Sequence, residues 1–112
     1  MLEKAVTDSG LDLETDVCIC INVHATKLCT PTEVAPPEDA EEGTPPTTAY
    51  LYSVCPNRLG EGGEPQDTPS EDMVEYYTQL AASHPALALL VDPMSNEDPQ
   101  GWTKLAAAMQ VP

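Results

Sequence analysis

Two short runs of apolar residues dominate the hydrophobic pattern of the chain. Residues 17–23 read VCICINV, and residues 86–91 read ALALLV. Both runs are nearly continuous and aliphatic, which is typical of strands that are buried on both faces of a parallel sheet. The second run ends abruptly at Asp92-Pro93 and an acidic turn follows it. In α/β folds the carboxyl end of such a strand is where functional side chains usually lie.

Helical patterns precede and follow the two runs. The first, residues 1–9, ends at Gly10, which suits the position just past a helix. A second helix is predicted to begin at Thr68, and a third follows a cap at Asn96 or Asp98. Their predicted buried faces consist of Met73, Tyr77, Leu80 and Ala81 in the second helix and Trp102, Leu105, Ala106 and Met109 in the third.

The middle of the chain differs in composition. It holds most of the 12 prolines together with many Glu and Thr residues, and residues 49–54 are its one strand-like segment. Such a segment buries too little apolar surface to offset the entropy of ordering it, so we expect disorder. The predicted divisions are a helix end and a strand in residues 1–28, a mostly disordered acidic insertion in residues 29–67, and a helix-strand-helix unit in residues 68–112.

The order of these elements predicts an α/β fold. A strand-helix-strand unit implies a parallel crossover, and two parallel strands with apolar faces need further strands beside them. Two parallel strands and three helices are therefore predicted to be an incomplete slice of a larger sheet or barrel, with the long disordered insertion between its parts.

The charge of the chain limits its partners. The net charge is −15, from 19 acidic and only 4 basic residues, which argues against binding to nucleic acid or to an anionic membrane surface. The sequence contains no apolar stretch of 18 residues and no secretory signal. Four cysteines in such a chain are expected to be reduced thiols, and the expected location is cytoplasmic.

Few residues outside the strand ends carry candidate chemistry. Cys18 and Cys20 are two apart on a strand and are predicted to share one face as inert core residues, because a metal site formed with Cys29 would lack a fourth ligand. His24 is next to a strand end, and we interpret it as a loop histidine, while His84 at a helix end is interpreted as structural.

Several separate segments resemble one family. Residues 92–102, DPMSNEDPQGW, resemble the enolase segment I-E-D-P-F-x-x-D-D-W-x-x-W without a gap, and residues 20–26, CINVHAT, resemble the enolase strand end G-M-D-V-A-A-S. A helix that ends in His84-Pro85 just before the second strand is also similar to the family pattern. The resemblance covers roughly two-thirds of the chain. It points to the divergent, enolase-like branch of the family.

The resemblance implies part of the C-terminal (β/α)8 barrel domain of an enolase. It also implies glycolytic dehydration of 2-phosphoglycerate to phosphoenolpyruvate, with Mg²⁺ as cofactor and a homodimer as the full-length assembly. The family's first two acidic metal ligands fall on Asn22 and Val91, and Asp92 matches a non-ligating aspartate. The third ligand and the lysine base would lie beyond Pro112.

These substitutions lead to an expectation about activity. Asn22 offers one neutral oxygen and Val91 offers none, so a cation would lose most of the charge that holds it. We expect no catalytic residue and no metal ligand in this chain, and hence no Mg²⁺ binding and no enolase activity. The alternatives are a lyase completed by sequence outside the chain, a non-catalytic enolase-like scaffold that binds partners, and a truncated product without a stable fold.

Overall fold

A computed structural model of the chain describes residues 1–13, 15–54 and 64–109. These residues form a mixed α/β structure with three α-helices, a two-stranded parallel sheet and a three-stranded antiparallel sheet. In chain order the elements are α1 (Leu2–Asp8), β1 (Ile19–Asn22), a short 3₁₀ helix (Ala25–Lys27), β2 (Cys29–Val34), β3 (Thr47–Val54), β4 (Gln66–Pro69), α2 (Ser70–Ser83), β5 (Leu87–Val91) and α3 (Pro99–Ala108).

The two apolar runs form the parallel sheet, as the sequence predicts. β1 pairs with β5 in parallel, and Asn22 is the register partner of Val91 at their carboxyl ends. The pairing is irregular between Ile19 and Cys20, where β5 accommodates one additional residue. The parallel direction requires a long connection between the strands, and α2 lies in that connection.

The faces of this sheet differ in their surroundings. Ile19 and Ile21 of β1 are half-buried and line cavities together with Leu80 of α2. The opposite face is exposed and mainly apolar, and its residues are Cys20, Asn22, Leu89 and Val91. Cys18, which directly precedes β1, and Cys20 are both exposed, so the prediction that they are core residues is wrong. The reason is that the described residues place packing elements on one side of the sheet only.

The predicted disordered insertion contains ordered strands. β2 and β3 pair in antiparallel from Cys29 opposite Tyr52 to Val34 opposite Thr47, and β4 pairs with the other edge of β3. The prediction of disorder from residue 29 onward therefore does not hold for these strands. Residues 49–54 were predicted to be strand-like and lie in β3. Local composition missed β2 and the pairing of the strands, because their stability comes from the fully buried Tyr52 and from half-buried Tyr50 and Val54, which pack against residues distant in sequence.

One core joins the antiparallel sheet to the helices. Its buried members are Ala25, Tyr52, Met73, Val74, Tyr77, Met94 and Leu105. This confirms the predicted inward faces of the second and third helices at Met73, Tyr77 and Leu105. Trp102, predicted to be core, is 39% exposed, and its indole N–H donates to the carbonyl of Ser95 in the turn before α3.

The helix ends follow the expected chemistry in part. Gly10 has a φ of 82° just past α1, a left-handed conformation that glycine adopts without strain. Asp98 caps α3 by accepting the backbone N–H of Gly101, as one of the two predicted caps. Thr68 does not cap α2: it belongs to β4, and the N-cap position is Pro69. Within the described ranges no helix has the length and apolar character needed to cross a bilayer.

The contact at Gly101 generates a prediction. Substitution of a helical glycine by alanine ordinarily stabilises by about 1 kcal/mol. Here the added Cβ would lie 2.3 Å from Oδ2 of Asp98 and 2.5 Å from Cε of Met94, both fully buried. We expect Gly101→Ala to destabilise the protein by about 1–3 kcal/mol in urea unfolding.

The neighbouring exposed residue provides the control. Gln100→Ala changes the same turn of α3 without a buried contact and should alter the free energy of unfolding by less than about 0.5 kcal/mol. Stabilisation by Gly101→Ala would show that the packing around Asp98 has room for the added methyl group.

Candidate functional site

The carboxyl ends of β1 and β5 form the candidate site. The N–H of Val23 donates to the carbonyl of Val91 at 2.9 Å, and the N–H of Ala25 donates to the carbonyl of Asp92 at 2.9 Å. These bonds continue the parallel pairing past the last strand residues. They hold the loop after β1 against the loop after β5, so side chains from both loops meet at one edge of the sheet.

The two positions of the expected metal ligands are adjacent at this edge. Asn22 and Val91 are register partners on the exposed face, and Val91 is 39% exposed. Their side chains supply one amide oxygen and two methyl groups. Mg²⁺ requires several hard oxygen ligands, so the donor set does not fit this ion. In the described part of the chain no group of three or more His, Cys, Asp or Glu residues could hold a metal ion.

Asp92 contacts two side chains of the loop after β1. Its Oδ1 accepts the hydroxyl of Thr26 at 3.0 Å, and its Oδ2 lies 3.4 Å from Nδ1 of His24. Both Asp92 and His24 have a left-handed backbone, with φ of 50° and 59°. A non-glycine residue with this backbone is strained and often occurs at functional sites. The strand-end cluster is therefore Asp92, Thr26 and His24.

The chemistry available to this cluster is limited. A carboxylate next to Nδ1 orients an imidazole so that Nε2 faces outward as a proton acceptor or a ligand. The His24 side chain is 57% exposed, and none of the hydrogen bonds within the described residues joins it to a hydroxyl or a thiol. The cluster thus links two loops by polar contacts, and it lacks an activated nucleophile.

A buried carboxylate supports the loop that carries Asp92. Asp98 is 1% exposed, and its Oδ2 accepts hydrogen bonds from the hydroxyls of Tyr52, at 2.9 Å, and Ser70. Its Oδ1 accepts the N–H of Gly101 at 2.8 Å. The Tyr52 hydroxyl in turn accepts the N–H of Ser95 at 3.0 Å. Asp98 thereby joins β3, the start of α2 and the start of α3.

Two more side chains fix the turn between β5 and α3. The Tyr77 hydroxyl donates to the carbonyl of Pro93 at 2.9 Å, and the Trp102 indole N–H donates to the carbonyl of Ser95 at 2.9 Å. No buried side-chain nitrogen or oxygen in the described ranges lacks a hydrogen-bond partner. The turn is thus held on both sides, with its backbone groups bonded to side chains from α2 and α3.

Burial changes the ionisation of the two tyrosines. Removal from water raises the pKa of the Tyr52 phenol well above its usual range, and the nearby carboxylate of Asp98 raises it further. Burial likewise raises the pKa of the Tyr77 phenol, with smaller contributions from Tyr76 and Asp92. Both phenols therefore stay protonated in the folded protein and can donate their hydrogen bonds.

Sequence reasoning found part of this arrangement. It placed Asn22, Val91 and Asp92 at strand ends, and the structure places all three at one edge of the sheet. It missed the contact of Asp92 with Thr26 and the buried cluster around Asp98. The signal for Asp98 was its cap position before Pro99, but nothing in the sequence pointed to Tyr52, which is 46 residues away.

No family model matches the sequence, and no solved structure shows a significant match. The resemblance to enolases therefore stays a prediction from the motifs in the sequence.

We predict that the Asp98 cluster contributes strongly to stability. Asp98→Asn replaces one accepting oxygen by an NH₂ group, which leaves a buried hydroxyl or N–H without its acceptor. A hydrogen bond to a charged group contributes about 1.5–3 kcal/mol, and we expect a loss of that size in urea unfolding.

Asp72→Asn is the matched control, because it removes one negative charge from an exposed position of α2. It should change the free energy of unfolding by less than about 0.5 kcal/mol. Equal effects of the two variants would contradict a special role for Asp98.

We also predict a loss of stability in alkali. Since folding raises the pKa of Tyr52 and Tyr77, the folded protein binds more protons than the unfolded chain once the pH exceeds about 10. The contribution of these phenols to stability is complete below that pH. Above it the free energy of unfolding falls by up to about 1.4 kcal/mol per pH unit for each phenol.

Tyr77→Phe should reduce this slope, as measured by urea unfolding between pH 9 and pH 11 (chosen to bracket the ordinary tyrosine value of about 10). Val74→Ala, a buried change without a titrating group, should lower stability equally at both pH values. An unchanged slope in Tyr77→Phe would show that the Tyr77 phenol ionises normally.

Proposed function

We propose that the chain is an enolase-like barrel segment that has lost the metal-dependent lyase chemistry of that family. The observation that carries this proposal is the pairing of Asn22 with Val91 across two parallel strands. Enolases have acidic metal ligands at successive strand ends, and these are the two positions that match them. Asn22 and Val91 each belong to a sequence segment that resembles an enolase motif. The strand register makes the two residues direct neighbours in space.

The arrangement of the parallel sheet supports a barrel segment. α2 lies in the connection from β1 to β5, and its Leu80 lines cavities with Ile19 and Ile21 on one face of the sheet. The opposite face carries exposed apolar residues such as Leu89 and Val91. In a (β/α)8 barrel the helices cover the outer face, and the inner face packs against the other strands. An uncovered apolar inner face is what a two-stranded slice of such a barrel would present.

The side chains at the strand ends explain why the proposed segment is not catalytic. Deprotonation next to a carboxylate creates a doubly charged intermediate, which this family stabilises with Mg²⁺. Asn22 and Val91 supply no charge for that ion. Asp92 is directed to Thr26 and His24 and accepts a hydrogen bond from the former. Neither 2-phosphoglycerate nor phosphoenolpyruvate would therefore be a substrate of this chain.

A second candidate function is binding of a partner as a scaffold. The β2–β3 hairpin is ordered, and the exposed acidic residues Glu33, Glu38, Asp39, Glu41 and Glu42 lie on it or on its connection. A hairpin of this charge suits a basic protein surface, because opposite charges steer association. This candidate shares with the first the absence of lyase activity, and it adds a role for the insertion.

Restoring the two carboxylates tests the proposal. The Asn22→Asp, Val91→Glu double variant would place two carboxylates on register partners about 5 Å apart. We expect it to bind Mg²⁺ in calorimetry and to gain about 1.4 kcal/mol of stability when Mg²⁺ is present at ten times its dissociation constant. The unmodified chain should show neither effect, and no turnover of 2-phosphoglycerate in a coupled assay.

A control variant distinguishes Mg²⁺ binding at a specific site from a general effect of two added negative charges. Thr30→Asp, Ala107→Glu adds the same two charges at exposed positions of β2 and α3, and it should not bind Mg²⁺ more tightly than the unmodified chain. Equal binding by the two double variants would show that Asn22 and Val91 do not form a ligand pair. Turnover by the unmodified chain would overturn the loss of lyase chemistry.

A further inference from the structure

The exposed face of the parallel sheet carries two thiols that the strand-end site does not use. Cys18 and Cys20 are both exposed, and Ile19 between them is half-buried and lines a cavity with Leu87. The N–H of Ile19 donates to the carbonyl of Ala86 at 2.8 Å, which holds this stretch extended along β5. Cys18 directly precedes β1, and exposure alternates along this stretch, with Cys18 and Cys20 exposed and Ile19 and Ile21 half-buried, so both thiols face the same side.

We propose that Cys18 and Cys20 form a two-coordinate site for a soft monovalent cation, of which Cu⁺ is the biological case. This site goes beyond the proposed function and does not depend on it. Thiolates are the protein ligands that select soft ions such as Cu⁺. A closed-shell monovalent ion of this kind accepts two thiolates on opposite sides and needs no third ligand.

The spacing of the thiols favours a bridging ion over a disulfide. Residues two apart on a strand have Cα atoms about 6.4–6.8 Å apart and nearly parallel Cβ directions. A disulfide requires Cβ atoms about 3.5–4.5 Å apart, which would break the strand. A metal–sulfur bond of about 2.3 Å lets two sulfurs about 4.6 Å apart share one ion. The thiols reach that separation when each Sγ leans toward the other.

The surroundings favour a two-coordinate ion over zinc. Zinc in a structural site takes four ligands, whereas no group of three or more His, Cys, Asp or Glu residues in the described ranges could hold a metal. Cys29 is half-buried on β2 and packs against the hydrophobic core, so it belongs to a different environment. Cys55 lies outside the described residues.

The binding step is balanced without a redox partner. Each thiol gives up its proton, two S–Cu bonds form, and the product is a Cu⁺ bis-thiolate with a net charge of −1 and two released protons. The net charge of the chain, −15, raises the local concentration of cations and so favours the encounter.

Competition with the chromophoric Cu⁺ chelator bicinchoninate tests this site on the reduced full chain under anaerobic conditions. We expect one tightly held Cu⁺ per chain, retained in Cys29→Ser and in Cys55→Ser. Cys18→Ser and Cys20→Ser should each weaken binding about 100-fold or more, since loss of even an outer-shell partner of a metal ligand costs about 10–100-fold.

A spacing variant distinguishes binding by two adjacent thiols from binding that depends only on the number of thiols in the chain. Cys20→Ser, Asn22→Cys keeps four cysteines and two exposed thiols on the same side, one just before β1 and one at its end, but their positions become four residues apart, about 13 Å. Weak binding by this variant, with an unchanged circular dichroism spectrum, supports the site. Binding as tight as that of the unmodified chain, or loss of binding in Cys29→Ser or Cys55→Ser, overturns it.

Discussion

The hydrogen bonds to the buried carboxylate of Asp98 are the interaction on which the rest of the structure depends. Three segments distant in sequence converge there: β3 through Tyr52, the start of α2 through Ser70, and α3 through the N–H of Gly101. A buried carboxylate is costly unless hydrogen bonds satisfy it, so these contacts must form together. They set the position of the antiparallel sheet relative to the helices and close the turn that follows β5.

This constraint reaches the strand ends through the same turn. Tyr52 binds the N–H of Ser95, and Tyr77 binds the carbonyl of Pro93, so the backbone between β5 and α3 has little freedom. Asp92 stands at the head of that turn with a left-handed backbone and contacts Thr26. The position of the strand-end cluster therefore follows from the buried hydrogen bonds that Tyr52 and Tyr77 make to this turn. The polar contacts of the cluster join the loop after β1 to the loop after β5.

Local patterns in the sequence predicted where helices and strands lie better than they predicted which residues pack around them. The parallel pair, the inward residues Met73, Tyr77 and Leu105, and the cap at Asp98 follow from periodicity and capping chemistry, which act over a few residues. β2 was missed, and residues 49–54 of β3 were predicted only as an isolated strand-like segment, because antiparallel pairing and the burial of Tyr52 depend on partners far along the chain. The exposure of Cys18, Cys20 and Trp102 was missed because an apolar pattern does not show which face of a strand or helix packs against another element.

The functional interpretation depends on one spatial relation, the pairing of Asn22 with Val91 at the carboxyl ends of two parallel strands. Nuclear Overhauser contacts between backbone protons measure that relation directly in solution. We predict cross-strand contacts that link Asn22 and Val23 to Val91 and Asp92 in the pattern of parallel strands. Contacts in an antiparallel pattern, or a pairing of Asn22 with any other strand, would contradict this pairing of the strand ends and the function proposed from it.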